Sequence, residues 1–193
     1  MRHKILAYGS PALTKTCTPF GKDTTNIEQL INDMWETMKN ANGCGLAAPQ
    51  IGINKKLFVV DSKTTFDLLD EQNRQVLFHK GDNGIRETFI NAEIIDYDDD
   101  LWEDDEGCLS IPGIYKPVKR SWSITIRYQT KNFQSITKSY SGTTARMIQH
   151  EFDHTQGVLF LNYLKPLTKR LLESKLKKIK AGKIQTRYPM KFI

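Results

Sequence analysis

His150 and His154 stand four residues apart, with Glu151 beside the first, in the run Gln149-His150-Glu151-Phe152-Asp153-His154. On a helix that spacing is about one turn, so both imidazoles leave one face and can share a metal ion. Glu151 can then reach a water held on that ion, which is the arrangement of a metal-dependent hydrolase. Such a site needs a third protein ligand and keeps one position open. The competing reading is a surface helix with solvated His and Glu. Thr143, Met147, His150, Glu151 and His154 share a helical face, which turns the imidazoles toward the interior and weighs against it.

Two residues are candidates for the third ligand. Glu173 lies 19 residues beyond His154, near the spacing of zinc proteases that recruit a downstream glutamate. It stands among lysines, where a solvated pair with Lys169 or Lys177 is the simpler account. Cys108 occurs in Glu106-Gly107-Cys108-Leu109-Ser110, where Gly107 removes bulk next to the thiol. A lone cysteine is ordinarily a buried structural residue. A third segment, Gly43-Cys44-Gly45-Leu46-Ala47-Ala48-Pro49-Gln50-Ile51-Gly52, has the small residues that let a backbone approach another chain closely. Its Gln50 offers an amide N–H able to polarise a carbonyl, although a tight helix-to-strand connection would use the same composition.

These residues need elements to position them. Thr25 with Glu28 reads as a capping box opening a helix over 25–42, with Ile27, Leu30, Ile31, Met34 and Met38 on one face and Gly43 as the stop. Leu57-Phe58-Val59-Val60 reads as a buried strand, and a second strand runs from Thr88 to Ile95. Residues 62–86 are polar and read as a long loop or hairpin, and the acidic run from Asp96 to Glu106 as a solvated turn. Trp122, Ile124, Ile126 and Tyr128 alternate with polar residues, the pattern of a half-buried strand. Thr143 to Gln156 is the motif helix, closed by Gly157. Pro166 opens a last helix whose apolar stripe is Leu167, Leu171, Leu172, Leu176 and Ile179. Strands and helices without βαβ alternation predict an α+β fold: short, mostly antiparallel strands around a central helix bearing the motif, with a C-terminal helix.

Composition bounds the partners. The 193 residues are 39% hydrophobic and 26% charged, ordinary for a soluble protein, and are read as a single catalytic domain, 1–193. No apolar run approaches the roughly 20 residues that cross a bilayer, and the N-terminus is too short in apolar residues for a signal peptide, so a cytoplasmic location is expected. Three cysteines, Cys17, Cys44 and Cys108, argue against a disulfide framework. Residues 165–193 carry ten basic residues against one acid within a net charge of +6, so the helix and tail over 166–193 form a basic arm suited to an anionic partner.

Taken together, the three segments resemble the peptide deformylases. That family's patterns, G-x-G-L-A-A-x-Q, E-G-C-L-S and Q-H-E-x-D-H-L-x-G, match Gly43 to Gln50, Glu106 to Ser110 and Gln149 to Gly157, in that order. Similarity continues through Tyr8-Gly9-Ser10-Pro11-Ala12-Leu13 and through Leu164-Lys165-Pro166-Leu167, so it covers essentially the whole chain. Thr155 replaces the usual Leu, Cys44 the usual Val or Ile, and Tyr115 an Arg found in some members. The resemblance implies an enzyme that removes the N-formyl group from the initiator methionine of new polypeptides and releases formate. It implies Cys108, His150 and His154 as ligands of one divalent metal, Fe(2+), replaceable by Zn(2+), Ni(2+) or Co(2+). It implies Glu151 as the acid–base group, and Gln50 with the Leu109 N–H as stabilisers of the developing oxyanion. Cys44, Gly45, Thr143 and Met147 would contact the methionine. A Glu106–Arg120 ion pair would steady the Cys108 segment, and Asp153 would accept a bond from a ligating His. Expected partners are nascent N-formylmethionyl peptides and the ribosome, through the basic helix, with no membrane and no DNA. Two other readings of the residues stay open: a zinc endopeptidase using Glu173, and an RNA- or ribosome-binding module with a structural metal.

Overall fold

The computed structural model describes residues 1–21 and 26–193 of the chain. The capping box expected of Thr25 lies outside the described residues. Helix α1 spans Ile27–Asn40 and buries Ile27, Ile31, Met34 and Met38, the stripe expected from the spacing. It closes through Asn42, which takes a left-handed φ of 52°, one residue before Gly43.

The centre of the molecule is a five-stranded antiparallel sheet, built from β2 (Gly45–Ala47), β3 (Leu57–Asp61), β4 (Arg86–Tyr97), β7 (Ser123–Gln129) and β8 (Ser135–Ser141), in that spatial order. Two-residue alternation assigns the side chains of β3 to opposite faces. Leu57 and Val59 join the cluster made with α1, while Phe58 and Val60 join the cluster containing Ala145 and Ile148 of helix α4 (Gly142–Thr155). The sheet is thus covered on both faces, and α4 also packs against β6 (Ile111–Ser121), the second strand of a hairpin begun by β5 (Leu101–Cys108). This is the expected α+β arrangement around the motif helix. A short parallel pair joins β1 (Ile5–Leu6) to β9 (Met190–Lys191), tying the chain's two ends together.

Three expectations are corrected. Residues 62–86 are not one loop: they contain helices α2 (Ser62–Leu68) and α3 (Glu71–Leu77), whose orphan N–H groups are capped by Asp61 on Thr64 and Asp70 on Asn73, both at 2.8 Å. The acidic run is largely strand, because β4 extends to Tyr97 and β5 starts at Leu101. Its acids sit mostly on the solvent side, with Glu103 opposite Lys119 on β6, and only Glu106 is buried. In α5 (Pro166–Lys180) the apolar stripe docks from Leu172 onward. Leu176 and Ile179 are buried, whereas Leu167 and Leu171 are exposed. No described helix is long and apolar enough to cross a membrane.

Candidate metal centre

Cys108 ends β5 at a point where the ladder register shifts between Glu106 and Cys108, an irregularity that re-aims the side chains of the strand end. The hairpin lies against α4, which presents His150 and His154 one turn apart. Cys108 Sγ stands 3.2 Å from His154 Nε2, and one donor atom from each of Cys108, His150 and His154 lies within 4.8 Å of the others. A cation held at ordinary bond lengths sets such donors roughly 3.3–3.6 Å apart, so side-chain adjustments alone close the gap. Both His154 Nδ1 and Glu151 Oε2 are buried and have no hydrogen-bond partner among the described residues. A sulfur, two ring nitrogens and an unmatched carboxylate oxygen gathered in the interior fit a metal site.

Glu106 organises this centre from behind. Its carboxylate accepts from Arg120 Nε at 2.7 Å and Nη2 at 2.9 Å, from Arg146 Nη1 at 2.8 Å, and from His150 Nδ1 at 2.9 Å. The last bond leaves His150 Nε2 as the nitrogen free to face the centre. Burial opposes ionisation of Glu106, but the bonds from Arg120 and His150 outweigh it and hold the carboxyl well below the usual range. Burial alone would lower the His150 pKa; Cys108 and Glu106 beside it instead raise it well above the ordinary value. His154 is driven the other way by burial and by the charges of His150 and Arg120, and stays neutral.

Glu151 is buried against the backbone of Gly45. A Cβ placed on residue 45 would fall 2.7 Å from Glu151 Cγ, closer than real side chains approach. Burial raises the Glu151 carboxyl to about 7, with His150 opposing and Glu106 adding to the rise. Gln50 sits in the short 3-10 turn that follows β2. Its Oε1 accepts from the Ala47 N–H at 2.7 Å, and its Nε2 donates to Ser110 Oγ at 3.3 Å and toward Cys108 Sγ at 3.6 Å. Leu109 follows Cys108 directly in the two-residue turn before β6, and no acceptor takes its N–H among the described residues. Thr143 is buried near the start of α4 with no hydrogen-bond partner for its hydroxyl among the described residues, Met147 is half-buried against the sheet-side core, and Cys44 is exposed beside buried Gly45.

Asp153 does not hold a histidine. It accepts from Arg120 Nη1 at 2.6 Å and from the Tyr163 hydroxyl at 2.9 Å, so Glu106, not Asp153, is the carboxylate that holds a ring of the His pair. Arg146 escaped the sequence reading altogether: it is buried on α4, donates to Glu106 and to the Val118 carbonyl at 2.9 Å, and its guanidinium lies 4.2 Å from the Trp102 ring. A charged residue at an interior helical position was the available signal. Glu173 is exposed on α5 and pairs with Lys177 at 4.0 Å, away from the His pair. Tyr115 is exposed, and its ring covers Gly107, where a Cβ would stand 2.7 Å from Tyr115 Cδ1.

The family model for polypeptide deformylase matches residues 2–170. The chain belongs to that family. Peptide deformylase of Christiangramia forsetii is 45% identical over 190 residues, covering 97% of this chain and 94% of that protein. That of Flavobacterium psychrophilum is 42% identical, covering 98% and 96%. Among solved structures, the crystal structure of peptide deformylase from Ehrlichia chaffeensis superposes with a TM-score of 0.81 at 28% identity, covering 95% of this chain and 99% of that one. The enzyme from Legionella pneumophila gives 0.77 at 32% identity, covering 95% and 98%. This deformylase is a metal-dependent hydrolase that removes the N-formyl group from nascent polypeptides.

Proposed function

We propose that Cys108, His150 and His154 hold the metal of this deformylase, and that Glu151 moves the protons of the reaction. The observation that carries the proposal is the convergence of one sulfur and two ring nitrogens within 4.8 Å, beside a buried carboxylate. A divalent cation bound there supplies Lewis acidity, lowering the pKa of water from about 16 to about 7. Glu151 takes a proton from the attacking water as its oxygen bonds the formyl carbon. When the C–N bond breaks, Glu151 returns the proton to the departing amine, leaving formate and a free N-terminus. The Leu109 N–H, which no described acceptor takes, and the Gln50 amide, beside Cys108 Sγ and Ser110 Oγ, are the donors that stabilise the oxygen gaining charge as the carbon becomes tetrahedral. Gly45 brings backbone close to Glu151 and offers hydrogen bonds to an extended peptide. Cys44, Thr143 and Met147 form the methionine-side contacts.

Thiolate and imidazole donors accept iron, zinc, nickel and cobalt alike, and the family resemblance favours Fe(2+) as the resident ion. The whole chain, 1–193, is read as one catalytic domain working in the cytoplasm. The exposed lysines of α5 support docking to ribosomal RNA near emerging chains. Reversing Lys169, Lys177 and Lys178 to Glu is expected to weaken salt-sensitive ribosome binding; unchanged binding dismisses the docking.

The test of the central reading combines elemental analysis of anaerobically purified protein with formate release from a formyl-Met peptide. Stoichiometric iron with formate release and intact internal peptide bonds is expected. Cleavage of internal bonds, or a metal that resists Cys108→Ala, rejects the assignment.

A further inference from the structure

The turn after Cys108 is held by segments from distant parts of the chain. The Tyr8 N–H donates to the Ser110 carbonyl at 2.8 Å, and Gln50 Nε2 donates to Ser110 Oγ at 3.3 Å. The hydroxyl of Tyr188 donates to the Leu109 carbonyl at 2.8 Å, and among the described residues no other donor reaches that carbonyl. Tyr188 comes from the C-terminal tail, beyond residue 170 where the family match ends.

The tail reaches the turn because its end is paired. Met190 lies opposite Ile5 in the parallel bridge of β1 and β9, with the Ile5 N–H on the Pro189 carbonyl at 3.0 Å and the Ala7 N–H on the Lys191 carbonyl at 2.9 Å. Upstream, residues 183–189 alternate exposed with half-buried positions, a period of two that turns Ile184, Thr186 and Tyr188 inward. The Tyr188 ring packs against both the cluster around Phe160 and Ile179 and the cluster around α1. The ring is therefore fixed on two sides, and its hydroxyl meets the Leu109–Ser110 peptide, which shares the Leu109 Cα with the peptide carrying the Leu109 N–H.

We propose that Tyr188 is a positioning residue for the oxyanion-binding turn, holding the Leu109 carbonyl so that the Leu109 N–H keeps the angle the tetrahedral oxygen needs. This rests on the reading of Leu109 as an oxyanion donor. A donor fixed in advance stabilises developing charge without reorganising during reaction, and a two-residue turn without this strut can rock about its ends. The C-terminal tail thereby becomes part of the catalytic apparatus.

Tyr188→Phe keeps the packed ring and deletes only the hydroxyl. Formate release is measured with kcat and KM resolved, metal content by elemental analysis, and amide hydrogen exchange in the metal-free protein at Tyr8, whose N–H is bonded to the Ser110 carbonyl of the same turn. The expected result is kcat down by about tenfold, a fraction of the roughly 10²–10³ that losing a whole oxyanion donor costs. KM and metal content stay near wild type, and exchange at Tyr8 quickens. A wild-type kcat, a loss explained by missing metal, a rise in KM alone, or unchanged exchange at Tyr8 each overturns the proposal. Absence of formate release from the unmodified enzyme instead sinks the deformylation reading, so the two failures are distinct.

Discussion

Gly45 and Glu151 meet backbone to side chain: a Cβ on residue 45 would stand 2.7 Å from Glu151 Cγ and 2.8 Å from its Cδ. Glycine is needed here for proximity, not for a left-handed backbone. Because Glu151 is buried on a helix packed between sheet and hairpin, it cannot swing aside without losing its place beside the His pair.

Gly45→Ala should therefore displace Glu151, the proposed acid–base group, while sparing Cys108, His150 and His154. Loss of general acid–base catalysis is worth typically about 10²–10⁴-fold, so formate release is expected to fall by at least about a hundredfold with metal content unchanged. Glu151→Ala should give a similar loss. Near-normal turnover in either variant would remove Glu151 from the mechanism.

The buried carboxylate of Glu106 joins Arg120, Arg146 and His150, so it links a buried charge network to one of the proposed metal ligands. Glu106→Gln removes the charge that two buried guanidiniums share. Breaking such a pair from one side typically costs about 3–5 kcal/mol, and loss of a partner that orients a ligating His typically weakens metal binding about 10–100-fold. Calorimetric melting of the metal-free protein and competitive chelator titration measure the two effects separately. A variant that melts as wild type does would show that Arg120 is satisfied by Asp153 alone.

What the sequence disclosed follows from the range of the interactions concerned. The pairing of His150 with His154 is local, set by helix geometry, and legible from spacing alone. Cys108 was legible only through its company, because its approach to the His pair depends on a hairpin built from acids that read as solvent-facing. Helices α2 and α3 were missed because each is only seven residues long with too few apolar positions to show a period, although Asp61 and Asp70 stand at cap positions three residues before the N–H groups they accept. The Glu106–Arg146 bond and the Tyr188 strut join residues 40 and 79 positions from their partners, and no periodicity marks such contacts.

Cys17 offers a pH-dependent test at a thiol outside the Cys108–His150–His154 cluster. Burial pushes its thiol from 9.0 up to about 11, with Lys56 opposing. The folded state then holds this proton more tightly than the unfolded chain, so stability from this group is complete below about pH 9 and is lost as pH rises toward about 11. Urea unfolding across that window should show stability falling in the wild type and falling less steeply in Cys17→Ala. Parallel slopes would mean that other groups, such as the raised Tyr140 phenol, account for the alkaline loss.

Two cysteine- and glutamate-to-alanine variants decide between the ligand sets that the sequence leaves open. Cys108 Sγ lies 3.2 Å from His154 Nε2, whereas Glu173 is exposed on α5 and engaged with Lys177. Cys108→Ala removes the only sulfur in the described cluster and leaves two imidazoles, too few for a catalytic site that needs three protein ligands. Metal content and formate release should both collapse, with the fold retained because the half-buried thiol contributes little packing. Glu173→Ala breaks a surface pair worth at most about 1 kcal/mol, so metal, turnover and melting temperature should match wild type. Retention of metal in Cys108→Ala together with its loss in Glu173→Ala would transfer the third ligand to α5, a change that would require the C-terminal helix to leave its seat on Leu176 and Ile179.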